Sequence, residues 1–158
     1  LLEIHCTLVT TGKHMVFAHG GDGQSGAYTL YLQRSNNPAG PIPIPYGVSL
    51  PGTISPAPEM DVYRITTTVS AGDTLFTHVL VTSSSLDPYI RIYQQDGDLV
   101  CEDSTIFTNL DLECTVNLTG IYSVFVFGGD NQTGSYRVCV NNNDTFCGFR
   151  EYMPQLSR

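Results

Sequence analysis

The chain has no tryptophan, and only 14% of its residues are charged. Seven are lysine or arginine against fifteen aspartate or glutamate, for a formal net charge of −8. With so few cations and no basic run, a phosphate backbone finds little to hold, and nucleic acid is excluded as a partner class. No apolar run approaches the ~20 residues that carry a helix across a bilayer, so no membrane span is expected. The N-terminus has no basic segment leading into an apolar one, so a secretory leader is expected only upstream of this sequence. No segment shows a convincing helical period. Nucleophile elbow, zinc-protease helix and paired C-x-x-C are all missing, and His5, His14, His19 and His78 are scattered. No catalytic residue is assigned, and the chain reads as a non-enzyme.

What is present is alternation. Short runs of apolar and polar residues take turns between clusters of Gly, Pro, Ser and Asp, the pattern of half-buried strands. Strands are expected near 60–69, 74–82, 88–94, 98–102, 109–118, 121–127 and 134–140, with three more over 1–10, 13–19 and 26–33. The expected fold class is all-β, an antiparallel β-sandwich or jelly-roll-like module in tandem.

The tandem follows from an internal repeat. Residues 1–33 laid over 109–141 at a constant offset of 108 share 13 identities. These include Cys6 with Cys114, Gly12 with Gly120, and the whole "GGD" of 20–22 with 128–130. The second copy follows about 65 residues of strand-like sequence, and the first follows none. The expected organisation is an incomplete module over 1–37, a Pro-rich linker and first edge segment over 38–58, a complete module over 59–140, and a tail or new linker over 141–158. Seven of the nine prolines fall in 38–58, where extended linkers and edge segments accept them.

Period-2 alternation orients the five cysteines. Cys114 shares a face with Leu110, Leu112, Val116 and Leu118 and points inward. Leu99 and Cys101 share a parity after an Asp-Gly turn, which places Cys101 on a strand next to that of Cys114, and the two are paired. Tyr136, Val138 and Val140 form an inward set, so Cys139 is expected to face outward and meet Cys147. Cys6 is left unpaired within the chain, because the repeat puts its partner before Leu1; a free buried thiol is the simpler alternative. Disulfides imply an oxidising, extracellular compartment.

Several motifs stand in a characteristic order. They are D-x-Y at Asp61 and Tyr63, Ala-Gly-Asp at 71–73, D-P-x-I-x-I-Y at 87–93, an Asp-Gly hairpin, G-x-Y-x-V at 120–124, and T-G-x-Y-x-V at 133–138. In this arrangement the chain resembles the bacterial pre-peptidase C-terminal domain family, in full over 46–140 and as the tail of a preceding copy over 1–33. The resemblance implies a non-catalytic β-sandwich accessory module of secreted proteins, sometimes with carbohydrate or protein-fibre ligands or bound calcium. Residues 141–158 do not follow the pattern.

Hard oxygen ligands for calcium are offered by Asp96, Asp98, Glu102 and Asp103, although Asp-Gly reads equally as a hairpin turn. Asp22 and Asp130 repeat in the Gly-rich loops. N-x-S/T sequons at Asn117, Asn131 and Asn143 are candidate glycan acceptors. His14 and His19 align with Tyr122 and Phe127, which favours strand packing over ligation. Ser83, Ser84 and Ser85 read as turn residues. The reading that follows is an extracellular or cell-surface spacer, a building block of a fibre or filament whose partners are neighbouring copies of itself. The alternative is a ligand-binding accessory domain of a secreted hydrolase, which should expose one aromatic patch built from Tyr89, Tyr93 and Phe76.

Overall fold

A computed structural model describes residues 2–83, 86–106, 109–130, 132–144 and 147. Among them are nine strands and no helix: β1 (Ile42–Ile44), β2 (Leu50–Ile54), β3 (Met60–Ile65), β4 (Thr74–Val81), β5 (Pro88–Gln94), β6 (Leu99–Ser104), β7 (Asn109–Thr115), β8 (Tyr122–Gly128) and β9 (Gly134–Asn141). They form two sheets, in the orders β1-β3-β8-β5-β6 and β2-β9-β4-β7. All pairings are antiparallel except β1 with β3. The all-β sandwich read from the alternation is the fold observed.

Burial follows sheet position. β7 is an edge strand, and its residues alternate between exposed and buried along its whole length. β8 lies in the middle of the five-stranded sheet and is buried on both faces. The core between the sheets holds Tyr63, Ile65, Ile90, Ile92, Tyr122, Val124 and Val126 from one side and Leu75, Val79, Leu112, Cys114, Tyr136 and Val138 from the other. Each fully buried Ile, Leu or Val contributes about 1.5–3 kcal/mol of transfer free energy. The proline-rich stretch supplies β1 and β2, both at sheet edges, where Pro43 and Pro51 interrupt no interior ladder.

The strands expected over 1–10, 13–19 and 26–33 are not formed: residues 2–41 carry none. The topology supplies the reason. Within the sandwich, β7 pairs only with β4, β8 only with β3 and β5, and β9 only with β2 and β4. No two of the three pair with each other. A segment equivalent to β7, β8 and β9 alone therefore has no ladder partner for any of its backbone groups. Its Gly-rich turn nevertheless keeps the native shape. Asp22 and Asp130 both have left-handed backbones, with φ of 52° and 47°, and the Gln24 and Gln132 amides donate to the Gly21 and Gly129 carbonyls at 2.9 and 2.8 Å. Local sequence encodes the turn, whereas the strands need non-local partners.

Further corrections concern which way residues face. A bulge shifts the β5–β6 register so that Ile92 opposes Cys101 but Tyr93 opposes Leu99. Leu99 is thereby turned outward and is 46% exposed, while Cys101 packs on the core. Cys101 and Cys114 do not lie on neighbouring strands; they face each other from β6 and β7, the edges of the two sheets. Their Cα atoms are 5.9 Å apart and the sulfurs are bonded. Cys139 has the outward parity expected but is fully buried, and it is joined to Cys147 with a Cα separation of 6.1 Å. Leu118 is exposed because β7 ends at Thr115.

The Cys101–Cys114 bridge closes a short loop, with a sequence separation of 13. Replacing both cysteines by serine is expected to lower the unfolding free energy by about 2–3 kcal/mol. Urea denaturation monitored by circular dichroism checks this, as a lower midpoint in the double variant.

Candidate functional site

A second polar tie crosses the sandwich opposite the disulfide. The Tyr136 hydroxyl on β9 donates to Asp61 Oδ2 on β3 at 2.7 Å, and the Tyr63 hydroxyl lies 2.9 Å from it. Since Tyr136 has one proton and gives it to Asp61, Tyr63 is the donor of the second bond. The Thr53 backbone N–H also reaches the Asp61 carboxylate. Gly52 in β2 leaves room for this chain: a Cβ there would overlap the Tyr136 ring and lie 2.6 Å from the Tyr63 hydroxyl. Burial raises the pKa of Asp61 above its ordinary value and pushes Tyr63 up to about 12; burial likewise raises Tyr136. The D-x-Y and T-G-x-Y motifs thus meet in one hydrogen-bonded chain that joins the sheets. Tyr136 bonds the carboxylate and Tyr63 bonds Tyr136, a chain of protonated phenols that holds geometry.

The outer face of the five-stranded sheet is the more unusual surface. β5 and β8 place Tyr89 on Phe127, ring centroids 5.3 Å apart, and Tyr93 on Phe125, 4.8 Å apart. Val62, Tyr93 and Phe125 are buried there with Met60 against them, a second apolar cluster outside the main core. Arg91 lies among these rings, its guanidinium 4.9 Å from the Phe127 centroid. Arg91 is bonded to Glu102 at 3.0 Å and, through both terminal nitrogens, to the carboxylate of Glu3. Its Nη1 is also 3.3 Å from His5 Nε2. Burial opposes the charge on Arg91, but the two carboxylates outweigh it and raise its pKa. Arg91 in turn holds Glu3 below the usual carboxylate range against the opposing effect of burial. Further along the face, the Tyr31 hydroxyl donates to the Met60 carbonyl at 3.2 Å.

The expected exposed aromatic patch is therefore not formed as one surface. Tyr89 and Tyr93 lie on this face, with Tyr93 buried, whereas Phe76 belongs to β4 in the other sheet. The four acidic residues read as calcium ligands are not brought together. Asp96 accepts from Asp98 N, Glu102 is taken by Arg91, and Asp103 accepts from Ser104 N. Among the described residues no three His, Cys, Asp or Glu side chains converge as a metal site. Asp22 and Asp130 stay in separate turns. His14 and His19 are exposed and bonded to nearby carbonyls, not packed in a strand, because their strand is not formed. His78 is buried on β4 with Nδ1 2.8 Å from Asp111 Oδ1. Ser83 exchanges hydrogen bonds with the Ser135 backbone, whereas Ser84 and Ser85 lie outside the described residues. Asn117 and Asn143 are exposed, and Asn131 lies outside the described residues. Cys6 is exposed and free.

Glu3, Met60, Arg91, Phe125 and Phe127 were missed as a group by sequence reasoning. The signal was present in "PYIRIY", where Arg91 shares its parity with two tyrosines.

No family model and no curated protein matches the sequence. Solved structures do. The pre-peptidase C-terminal domain of a collagenase from Bacillus anthracis superposes with a TM-score of 0.56 at 17% identity, over 67% of this chain and 99% of that one. The chain thus has the fold of a pre-peptidase C-terminal domain. A mitogen from Yersinia pseudotuberculosis (TM-score 0.46, 13% identity, 63% of this chain and 87% of that one) superposes more loosely. So does a periplasmic inhibitor of g-type lysozyme from Aeromonas hydrophila (0.39, 13%, 63% and 96%). Among the described residues no helix is long and apolar enough to cross a membrane.

Tyr136→Phe should cost about 1–3 kcal/mol, because the Asp61 carboxylate and the Tyr63 hydroxyl both lose a partner. The raised pKa of Asp61 also fixes a pH dependence. The folded state holds this proton more readily than the unfolded one, so the contribution is complete below the ordinary value of 3.8 and is lost as pH rises through the raised value. Denaturant midpoints of wild type and Asp61→Asn across that window check the sign: the wild type should lose stability relative to the variant as pH rises.

Proposed function

We propose that the protein is a non-catalytic, extracellular spacer built from tandem β-sandwich modules, in which residues 2–33 contribute the last three strands of a second sandwich. The observation that carries this reading is the repeated segment, which keeps the Gly-rich turn of the complete copy while its apolar residues stand exposed and its strands lack partners. Strands equivalent to β2 through β6, supplied by another module, would cover Leu2, Ile4, Cys6 and Leu8 as β4 and its neighbours cover Leu110, Leu112, Cys114 and Val116. Two internal disulfides favour an oxidising compartment. A linear array whose modules meet mainly their neighbours is the corresponding assembly. Exposed Asn117 and Asn143 are the glycan acceptors this setting makes available.

The second reading, a ligand-binding accessory domain, draws on the aromatic cluster of the five-stranded sheet. In this structure that cluster is partly roofed by the protein's own residues, which favours the spacer.

Cys6 is aligned with Cys114, whose partner is Cys101, so the completing module should bring a cysteine to it. Non-reducing peptide mapping of the protein isolated from its native source is expected to find Cys6 bonded to a cysteine outside these 158 residues. Cys6 recovered as a free thiol, or bonded to one of the other four cysteines here, would contradict the tandem reading.

A further inference from the structure

We infer that the outer face of the five-stranded sheet is a docking surface for the adjacent repeat, gripped by Glu3, His5 and Tyr31 through Arg91 and the Met60 carbonyl. The inference rests on the tandem reading and adds to it the geometry by which one module sits on the next.

Three observations lead there. The first is parity. Glu3, His5 and Tyr31 align with Asp111, Glu113 and Cys139; the first two are exposed on β7, and Cys139 has the outward parity of β9 although it is buried. The contacts with Arg91 and Met60 thus use the outward side of the repeated segment. Its inward side is left open to a completing module: Leu2, Ile4 and Leu8 are 84%, 77% and 56% exposed, and Cys6 is exposed between them.

The second is spacing. Asp111 and Cys139 both register with His78, one on either side of β4. In a completed sandwich Glu3 and Tyr31 would therefore stand two strand spacings apart, about 10 Å, on the outer face of a four-stranded sheet. Across the five-stranded sheet, Arg91 and Met60 flank β8 two spacings apart, and their registers with Phe125 and Phe127 also offset them by two residues along it, about 12 Å in all. The two spans differ by about 2 Å, which the long Glu3 and Tyr31 side chains can take up, so one face can make both contacts at once.

The third is chemistry. The receiving face is aromatic and apolar, with a guanidinium set into it whose side chain is 14% exposed once Glu3 and His5 lie on it. Glu102 engages its Nε. The two terminal nitrogens require an incoming carboxylate, and a fork-shaped cation takes one bidentately. A partner repeat that presents an acidic residue at the position of Glu3 supplies it.

The free Cys6 allows a direct test in the 158-residue chain. A nitroxide attached there should reduce the amide signals of residues 89–93 and 125–127 by paramagnetic relaxation. Arg91→Glu should restore those signals, and the exchanged pair Glu3→Arg with Arg91→Glu should reduce them again. Cys6 should also react with a small maleimide as fast as a thiol in an unstructured peptide, because its side of the segment faces away from the docked surface. Overturning results are an unaffected aromatic face in the wild type, a pattern indifferent to Arg91→Glu, or a Cys6 thiol shielded from the maleimide. Each of these leaves the peptide-mapping test of the tandem reading intact, while a failed mapping with a positive relaxation pattern would reduce the surface to an intramolecular strap and so overturn the module interface.

Discussion

The sandwich is constrained by how its strands interleave. β2 through β6 come first in the chain, and β7, β8 and β9 are then inserted between or beside them, so that every late strand is hydrogen-bonded to early ones and none to another late one. Cooperativity follows, because a late strand can form no sheet until the early strands are in place, and the contacts involved are widely separated in sequence. The same constraint explains how one repeated segment appears in two states within a single chain. After β2–β6 it forms three strands. Elsewhere it keeps its turn and little more, since turn geometry depends on adjacent residues and a ladder does not.

Two covalent or polar ties fix the halves once interleaved. The sheets exchange no strand, and between them lies mostly apolar packing, which is strong but indifferent to small sliding. At one side the Cys101–Cys114 bridge joins the edge strands β6 and β7. At the other, Asp61, Tyr63 and Tyr136 join β3 to β9 beneath the open backbone of Gly52. A buried polar chain of this kind is costly unless every member is bonded, and here each has its partner, so it selects one registration of the two sheets. In the repeat, Tyr28 stands at the Tyr136 position, 71% exposed.

The legible part of the fold was the part written in periodicity. The alternation of β7, the Asp-Gly hairpin and the proline-marked edges could all be read from neighbouring residues. The β5–β6 bulge could not, because one extra residue, Val100, breaks the parity that Leu99 and Cys101 share in sequence without any local signal. Cys139 shows a related limit, since parity predicts which face a residue occupies but not whether that face is covered. The strand period of residues 1–33 was real, yet period alone cannot supply a hydrogen-bonding partner. The Asp61–Tyr136 contact lay hidden in two motifs 75 residues apart that only topology brings together. The contacts on the outer face of the five-stranded sheet were hidden likewise, being distributed over positions 3, 5 and 31.

Native-state amide exchange on the 158-residue chain tests most directly the claim that β7–β9 sequences form strands only when interleaved with β2–β6. The account predicts that amides of 110–115, 122–127 and 135–140 exchange only through global unfolding, while their counterparts in 2–7, 14–19 and 27–32 exchange near the rate of an unstructured chain. Protection of residues 2–33 equal to that of 109–141 would contradict it, for those residues would then be pairing in a sheet that the interleaved topology does not provide.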